Sequence, residues 1–240
     1  MGRSEPGPCE PPPIALRHIP HYTVSVNVDH RVKARPYRQK QRAAGAAETR
    51  RRLLDSARAE LTRRPLRRIS IEAVAEGAGV ARSTVYGTFG SRGGLFDAVA
   101  EDAFMESGMP AIAAAFELDD PIAFIETSFA INSRMCARLR PIWHALGAMA
   151  AIDKEANAML VRTEERRAVG MREVAARLET RGLLGDGVDR ATAEAQLQVV
   201  TSFAAFDLLT DAGLTPDDIT EWMLTTTRRT LKLRRLGGEH

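Results

Sequence analysis

The sequence predicts an all-α protein, and three observations carry that reading. Apolar residues make up 44% of the 240 but aromatics only 5%. That share is carried by Ala, Leu, Val and Ile, a mix that suits helices better than a β-sandwich. From about Ala47 the apolar positions recur at helical spacing and continue so to the C-terminal end. Gly, Pro and capping residues cut this run into about nine segments of helix length. A chain of this size buries a substantial core without a disulfide or metal.

Residues 1–46 read differently. They hold seven of the twelve prolines, which stop helices, so a disordered, Pro-rich and basic leader is expected. TVSVNV (23–28) alternates like a short strand but has no partner strand. Leu53, Leu54, Ala57 and Leu61 share one face of a first helix, which Pro65 ends. A short second helix runs from Ile71 to Gly77 with Ser70 as N-cap, and Gly79 makes the turn. A third runs from about Ala81 to Thr88, and a fourth, capped by Ser91, to about Gly108. Asp119-Asp120-Pro121 opens a helix that reaches Arg140. Pro141 starts a short one through Gly147. Long helices follow over about 152–181, 189–210 and 216–235.

Net charge is +3, but its distribution is uneven. Residues 1–30 sum to −1, residues 31–68 to +11 and residues 69–240 to −7. A basic segment joined to an acidic body is the asymmetry of a chain whose one end meets a polyanion. Two cysteines, Cys9 and Cys136, exclude a disulfide framework and point to a reducing cytoplasm. No run of about 18 apolar residues predicts a membrane span, and no continuous apolar stretch makes a signal peptide. No cofactor or metal site is expected. His18 and His21 in the leader and His144 in the body lack partners at ligand spacing, and no catalytic motif of the common nucleophile, Walker, zincin or Rossmann types is present.

The segment ISIEAVAEGAGVARSTVYGTFGSRGGLFDAV (69–99) carries the chemistry. Two short helices meet at a glycine, the layout of a helix-turn-helix. Ile71, Val74, Ala75 and Ala78 give the second helix its apolar face, and Val80 and Val85 plug the angle. The third helix exposes Arg82, Ser83, Thr84, Tyr86 and Thr88, hydrogen-bonding side chains on an element that fits a major groove. Arg50, Arg51, Arg52, Arg63, Arg64, Arg67 and Arg68 lie just upstream, where they can meet phosphate.

Ser70, Val74-Ala75, Ala78-Gly79-Val80, Thr84-Val85-Tyr86, Phe89, Ser91-Arg92 and Leu95 together resemble the TetR/AcrR family of transcriptional repressors, over about residues 47–99 and without gaps. Three positions depart from that pattern. Ala81 replaces a capping Ser, at a cost of about 1 kcal/mol. Gly87 stands where a polar residue is common, and Arg92 where the family carries Lys. The resemblance implies a DNA-binding domain over 47–92, with Arg50, Arg52, Ser70, Arg82, Ser83, Thr84, Tyr86, Thr88 and Arg92 at base or phosphate contacts.

It further implies a helical ligand-binding and dimerisation domain over 93–236. Phe124, Met135, Trp143, His144, Met149 and Met159 are candidates to line a pocket, since Met and aromatics suit an adaptable cavity. Val199, Phe203, Phe206, Trp222 and Met223 are candidates for a dimer interface. The expected function is a cytoplasmic homodimer that represses transcription from a palindromic DNA operator and responds to a small-molecule effector. Two rivals remain: a DNA-binding activator or architectural protein without a sensor, and a helical enzyme or carrier that retains the domain as a relic.

Overall fold

A computed structural model describes residues 36–63 and 68–233, with side chains from Arg42 onward. The leader up to residue 35, with Cys9, His18, His21 and the TVSVNV stretch, lies outside the described residues, as do Arg64 and Arg67. The described chain is helical throughout: α1 Pro36–Thr62, α2 Ile71–Gly77, α3 Arg82–Phe89, α4 Arg92–Ser107, α5 Met109–Ala115, α6 Pro121–Ala150, α7 Lys154–Thr180, α8 Arg190–Val200, α9 Phe203–Asp211 and α10 Pro216–Thr230. Ten helices stand where about nine were expected.

Most boundaries follow from caps written in the sequence. Ser70, Ser91, Asp120, Asp153, Asp189, Ser202 and Thr215 each accept a hydrogen bond from an amide in the first turn they open. Thr215 and Asp218 form a reciprocal capping box. Ala81 makes no such bond, as expected of its side chain.

Four departures have local causes. α1 begins at Pro36 rather than about Ala47, because proline at the first helical position loses no intrahelical donor and the following Arg, Gln and Ala residues favour helix. α5, absent from the sequence reading, starts directly after Gly108 (φ +126), which turns the chain out of α4. Pro141 does not start a helix but sits inside α6. An interior proline costs about 3 kcal/mol, which the burial of Leu139, Ala145, Leu146 and Met149 around it offsets. The expected 189–210 helix is broken at Thr201–Ser202, where both hydroxyls donate back to carbonyls of Leu197 and Val199. Such side chains compete with the helical ladder.

The largest apolar cluster joins α1–α4 to the body. Leu53, Leu61, Val74, Val85 and Phe96 pack with Ala145, Leu146, Met149, Ala156 and Met159, so the core does not part at residue 92. A second cluster, containing Phe124, Phe129, Leu178, Leu197, Phe206, Ile219 and Met223, holds α6, α7, α8, α9 and α10. A small third cluster places Ala103 against Met135 and Leu139. At the entry to α4 a side chain at Gly94 would overlap the Phe89 carbonyl oxygen. Gly94→Ala is therefore expected to cost about 1–3 kcal/mol, read as a lowered midpoint in thermal denaturation.

Candidate nucleic-acid interface

α2 and α3 meet through the turn at Gly79, whose φ of +64 favours a residue without a side chain. Ile71, Val74, Ala75, Ala78 and Val85 are buried, and Val80 and Phe89 pack against them. This leaves one face of α3 outward. Arg82, Ser83, Tyr86 and Gly87 are exposed, while Thr84 and Thr88 are half-buried. The Thr88 hydroxyl donates to the Thr84 carbonyl at 2.7 Å, which turns it back on its own helix.

Tyr86 is 38% exposed, and its ring stacks with Arg82. The Arg82 guanidinium lies 5.5 Å from the ring centroid and donates to the Tyr86 hydroxyl at 3.3 Å. It also pairs with Glu72 at 2.8 Å. The Tyr86 hydrogen bond and the Glu72 charge hold the Arg82 pKa above its usual value. Glu72 itself is held below the usual carboxylate range by its own backbone amide, the Ser70 hydroxyl and Arg82. Glu72 was not singled out in the sequence; the only signal there was an acid in the first turn of α2. As the carboxylate paired with Arg82, it competes with any phosphate oxygen for that guanidinium. Glu72→Gln is expected to tighten DNA binding several-fold, and a salt titration of affinity checks it.

The upstream arginines divide. Arg50 lies over the Phe89 ring at 4.9 Å, and an Arg52 nitrogen comes near Gly79 at the turn. Neither has an ion-pair partner among the described residues, so both charges stay available to phosphate. Arg51 is tied to Glu48 and Asp55 at 2.7 and 2.8 Å, and Arg63 to Glu60 at 2.8 Å. Arg68 donates to the Ile152 carbonyl at 2.9 Å.

Two expected DNA contacts are corrected. Ser70 is committed to its cap: its oxygen accepts from the Ala73 amide at 3.2 Å, and its hydroxyl donates to Glu72 at 2.8 Å. Arg92 faces the body. It donates to the Ile69 carbonyl at 3.2 Å and to Glu155 at 2.9 Å, and it pairs with Asp153. Asp153 is 3% exposed. Burial pushes its carboxyl up, but Arg92 and the amides of Glu155 and Ala156 outweigh that and hold it below the usual range. An arginine spent on a buried carboxylate is not free for a duplex.

In the body, Phe124, Met135, Met149 and Met159 are buried; they fill core rather than line a cavity, as Met and aromatics at helical spacing commonly do. Trp143 and His144 do border a groove of about 550 Å³, with Gly147, Phe203 and Asp207. Trp143 stacks edge-on against Phe104 of α4 at 5.4 Å and lies 5.8 Å from Phe203. His144 is engaged by Asp207 at 2.8 Å. Arg140 donates to the same carboxylate at 2.7 Å. A second groove, of about 590 Å³, runs along α8 past Arg167, Gln198 and Val199. Among the described residues no cluster of His, Cys, Asp and Glu could hold a metal. Burial pushes the Cys136 thiol up to about 12, so it stays protonated.

Of the dimer candidates, Val199 is 64% exposed. Phe203 and Trp222 are half-buried. Phe206 and Met223 are corrected: both lie inside the chain's own second cluster, because the faces they occupy on α9 and α10 turn toward α6. Leu208, 72% exposed, was missed and stands out instead.

A glycine-turned helix pair, with a polar outer face on its second helix and free arginines beside it, defines a helix-turn-helix DNA-binding protein on an all-helical body. Residues 53–99 match the bacterial regulatory proteins of the tetR family. The match covers the helix-turn-helix segment, and the fold of the whole described chain is similar to that of solved TetR-family regulators. Solved structures agree in fold. One is a Rhodococcus protein assigned to the TetR-family regulators (TM-score 0.60, 16% identity, 77% of this chain and 99% of that one). Another is NalD, the secondary repressor of the MexAB-OprM multidrug efflux pump in Pseudomonas aeruginosa (0.61, 21%, 80% and 100%). A third is a Saccharomonospora viridis regulator in complex with choline (0.56, 14%, 79% and 100%). No curated protein matches the chain in sequence. No helix among the described residues is long and apolar enough to cross a membrane.

Proposed function

We propose that the chain is a homodimeric repressor of transcription that releases its operator when a small molecule binds the body. The observation that carries this reading is the exposed Arg82–Ser83–Tyr86 face with Arg50 and Arg52 beside it. One such face per chain reads half-sites of a palindrome about 34 Å apart. The exposed apolar side chains Val199 and Leu208 on α8 and α9 support association through that face, in the manner of a four-helix interface between two copies. A repressor and a choline complex among proteins of this fold support repression and ligand response.

The effector must bind one of two states better than the other, since equal affinity shifts nothing. The path for such a shift is α4, which leaves the helix-turn-helix and packs on α6 and α7. A gel shift with the DNA flanking the chain's own gene tests the reading. Salt-sensitive binding to one palindrome is expected; binding with no sequence preference sinks it.

One observation favours a second reading, a DNA-binding regulator without a sensor. Four of the six expected pocket residues are plain core. That reading predicts that no small molecule releases the DNA.

A further inference from the structure

α7 is buried along one stripe, and the stripe changes character in its middle. Ala156 and Met159 at one end are buried with α4 and the end of α6, and Val174, Ala175 and Leu178 at the other are buried in the second cluster. Between them the same helical register carries Thr163, Arg166 and Gly170. Thr163 is buried. Gly170 leaves room beside the Phe116 ring, which a side-chain carbon there would meet at 3.7 Å. Between the two apolar clusters the stripe thus turns from apolar to polar and small residues.

Arg166 is half-buried, and its Nε is shut off from solvent with no hydrogen-bond partner. Its Nη2 donates to Thr163 Oγ1 at 3.2 Å. Thr163 in turn donates its proton to the Met159 carbonyl at 3.0 Å, so it orients the guanidinium without neutralising it. The other four arginines of α7 each meet a carboxylate: Arg162 with Asp97, Arg167 with Glu164, Arg172 with Glu194 and Arg177 with Glu173. Arg166 has none among the described residues. A charged donor kept from water and left unpaired is costly, and an anion removes that cost.

We propose that Arg166 anchors an internal site for a small organic carboxylate. The proposal rests on the sensor reading and names the chemical class of its effector. The Nε–H and an Nη2–H of one guanidinium point the same way and match the two oxygens of a carboxylate. The seven helical steps from Thr163 to Gly170 span about 10 Å, the length of an aromatic or short fatty acid. The Phe116 ring beside Gly170 suits its apolar remainder. Arg167 takes no part: its guanidinium points to α8, at the Gln198 carbonyl and Thr201 hydroxyl, 2.7 and 3.0 Å away.

The test is thermal denaturation of the full chain with benzoate, cinnamate and octanoate, each beside its uncharged amide. At least one acid should raise the midpoint by about 4 °C at tenfold excess over its Kd, while its amide leaves it unmoved. Arg166→Met should melt higher than the wild type without ligand and lose the acid's effect. Arg166→Lys, which keeps the charge but not the fork, should weaken it. No stabilisation by any of the three acids overturns the proposal, as does an equal response to acid and amide or in Arg166→Met. Acid binding that leaves operator affinity unchanged overturns the sensor reading alone.

Discussion

Arg92→Ala is expected to destabilise the folded chain by about 3 kcal/mol, because it strands a buried carboxylate. For a chain of this size that lowers the melting midpoint by roughly 6–12 °C. Arg92 holds three partners at once: the Ile69 carbonyl before α2, Glu155 on α7, and Asp153, the residue that caps α7. Arg68 adds a bond to the Ile152 carbonyl in the same turn. The loss therefore falls on the joint between the helix-turn-helix and the body. The Asp153 carboxyl is held below its ordinary value of 3.8 in the folded chain. A lowered folded pKa gives stability that is present above the unfolded value and lost as pH falls through the folded one. The deficit of Arg92→Ala should thus be full at neutral pH and shrink below about pH 4. Chemical denaturation of both proteins across that range checks it. A variant as stable as the wild type, yet weak in DNA binding, would return Arg92 to a phosphate contact.

Tyr86→Ala combined with Arg82→Ala should weaken operator binding on the order of a hundredfold, at constant salt, with the melting midpoint nearly unchanged. Both side chains are exposed on α3. Their stack on each other, with Glu72 beside it, sets the guanidinium direction before DNA arrives. Arg82→Ala alone should relax the base preference or flatten the salt slope, according to whether it meets a base edge or a phosphate. A double variant that binds the operator like the wild type would remove α3 as the reading helix. The two experiments are complementary, since Arg92 governs stability and the α3 pair governs affinity.

Much of the helix-turn-helix was legible because its determinants are local. Gly79 is needed where φ is positive, Ser70 caps α2, and Val85 is buried; each follows from neighbours a few residues away. Arg92 was misread because its partners lie 61 and 63 positions further along the chain. The methionines of α6 and α7 were misread because periodicity tells which face is apolar but not what lies against it. Phe206 and Met223 failed likewise: an apolar face on α9 or α10 can serve the chain's own core or a second copy.

By itself the sequence determined the all-helical class, the caps that open most helices, the helix-turn-helix register and the basic charge beside it. These depend on backbone preferences and short-range hydrogen bonds, which act within a turn or two. Only the tertiary structure decided which arginines are spent and which are free. Arg51, Arg63, Arg68 and Arg92 are engaged by the protein, while Arg50, Arg52 and Arg166 meet no carboxylate among the described residues. The physical reason is that a charge is neutralised by whatever carboxylate or carbonyl comes within about 4 Å in space. Arg51 and Arg63 meet partners three or four residues away on α1, but only packing brings Ile152, Asp153 and Glu155 to Arg68 and Arg92.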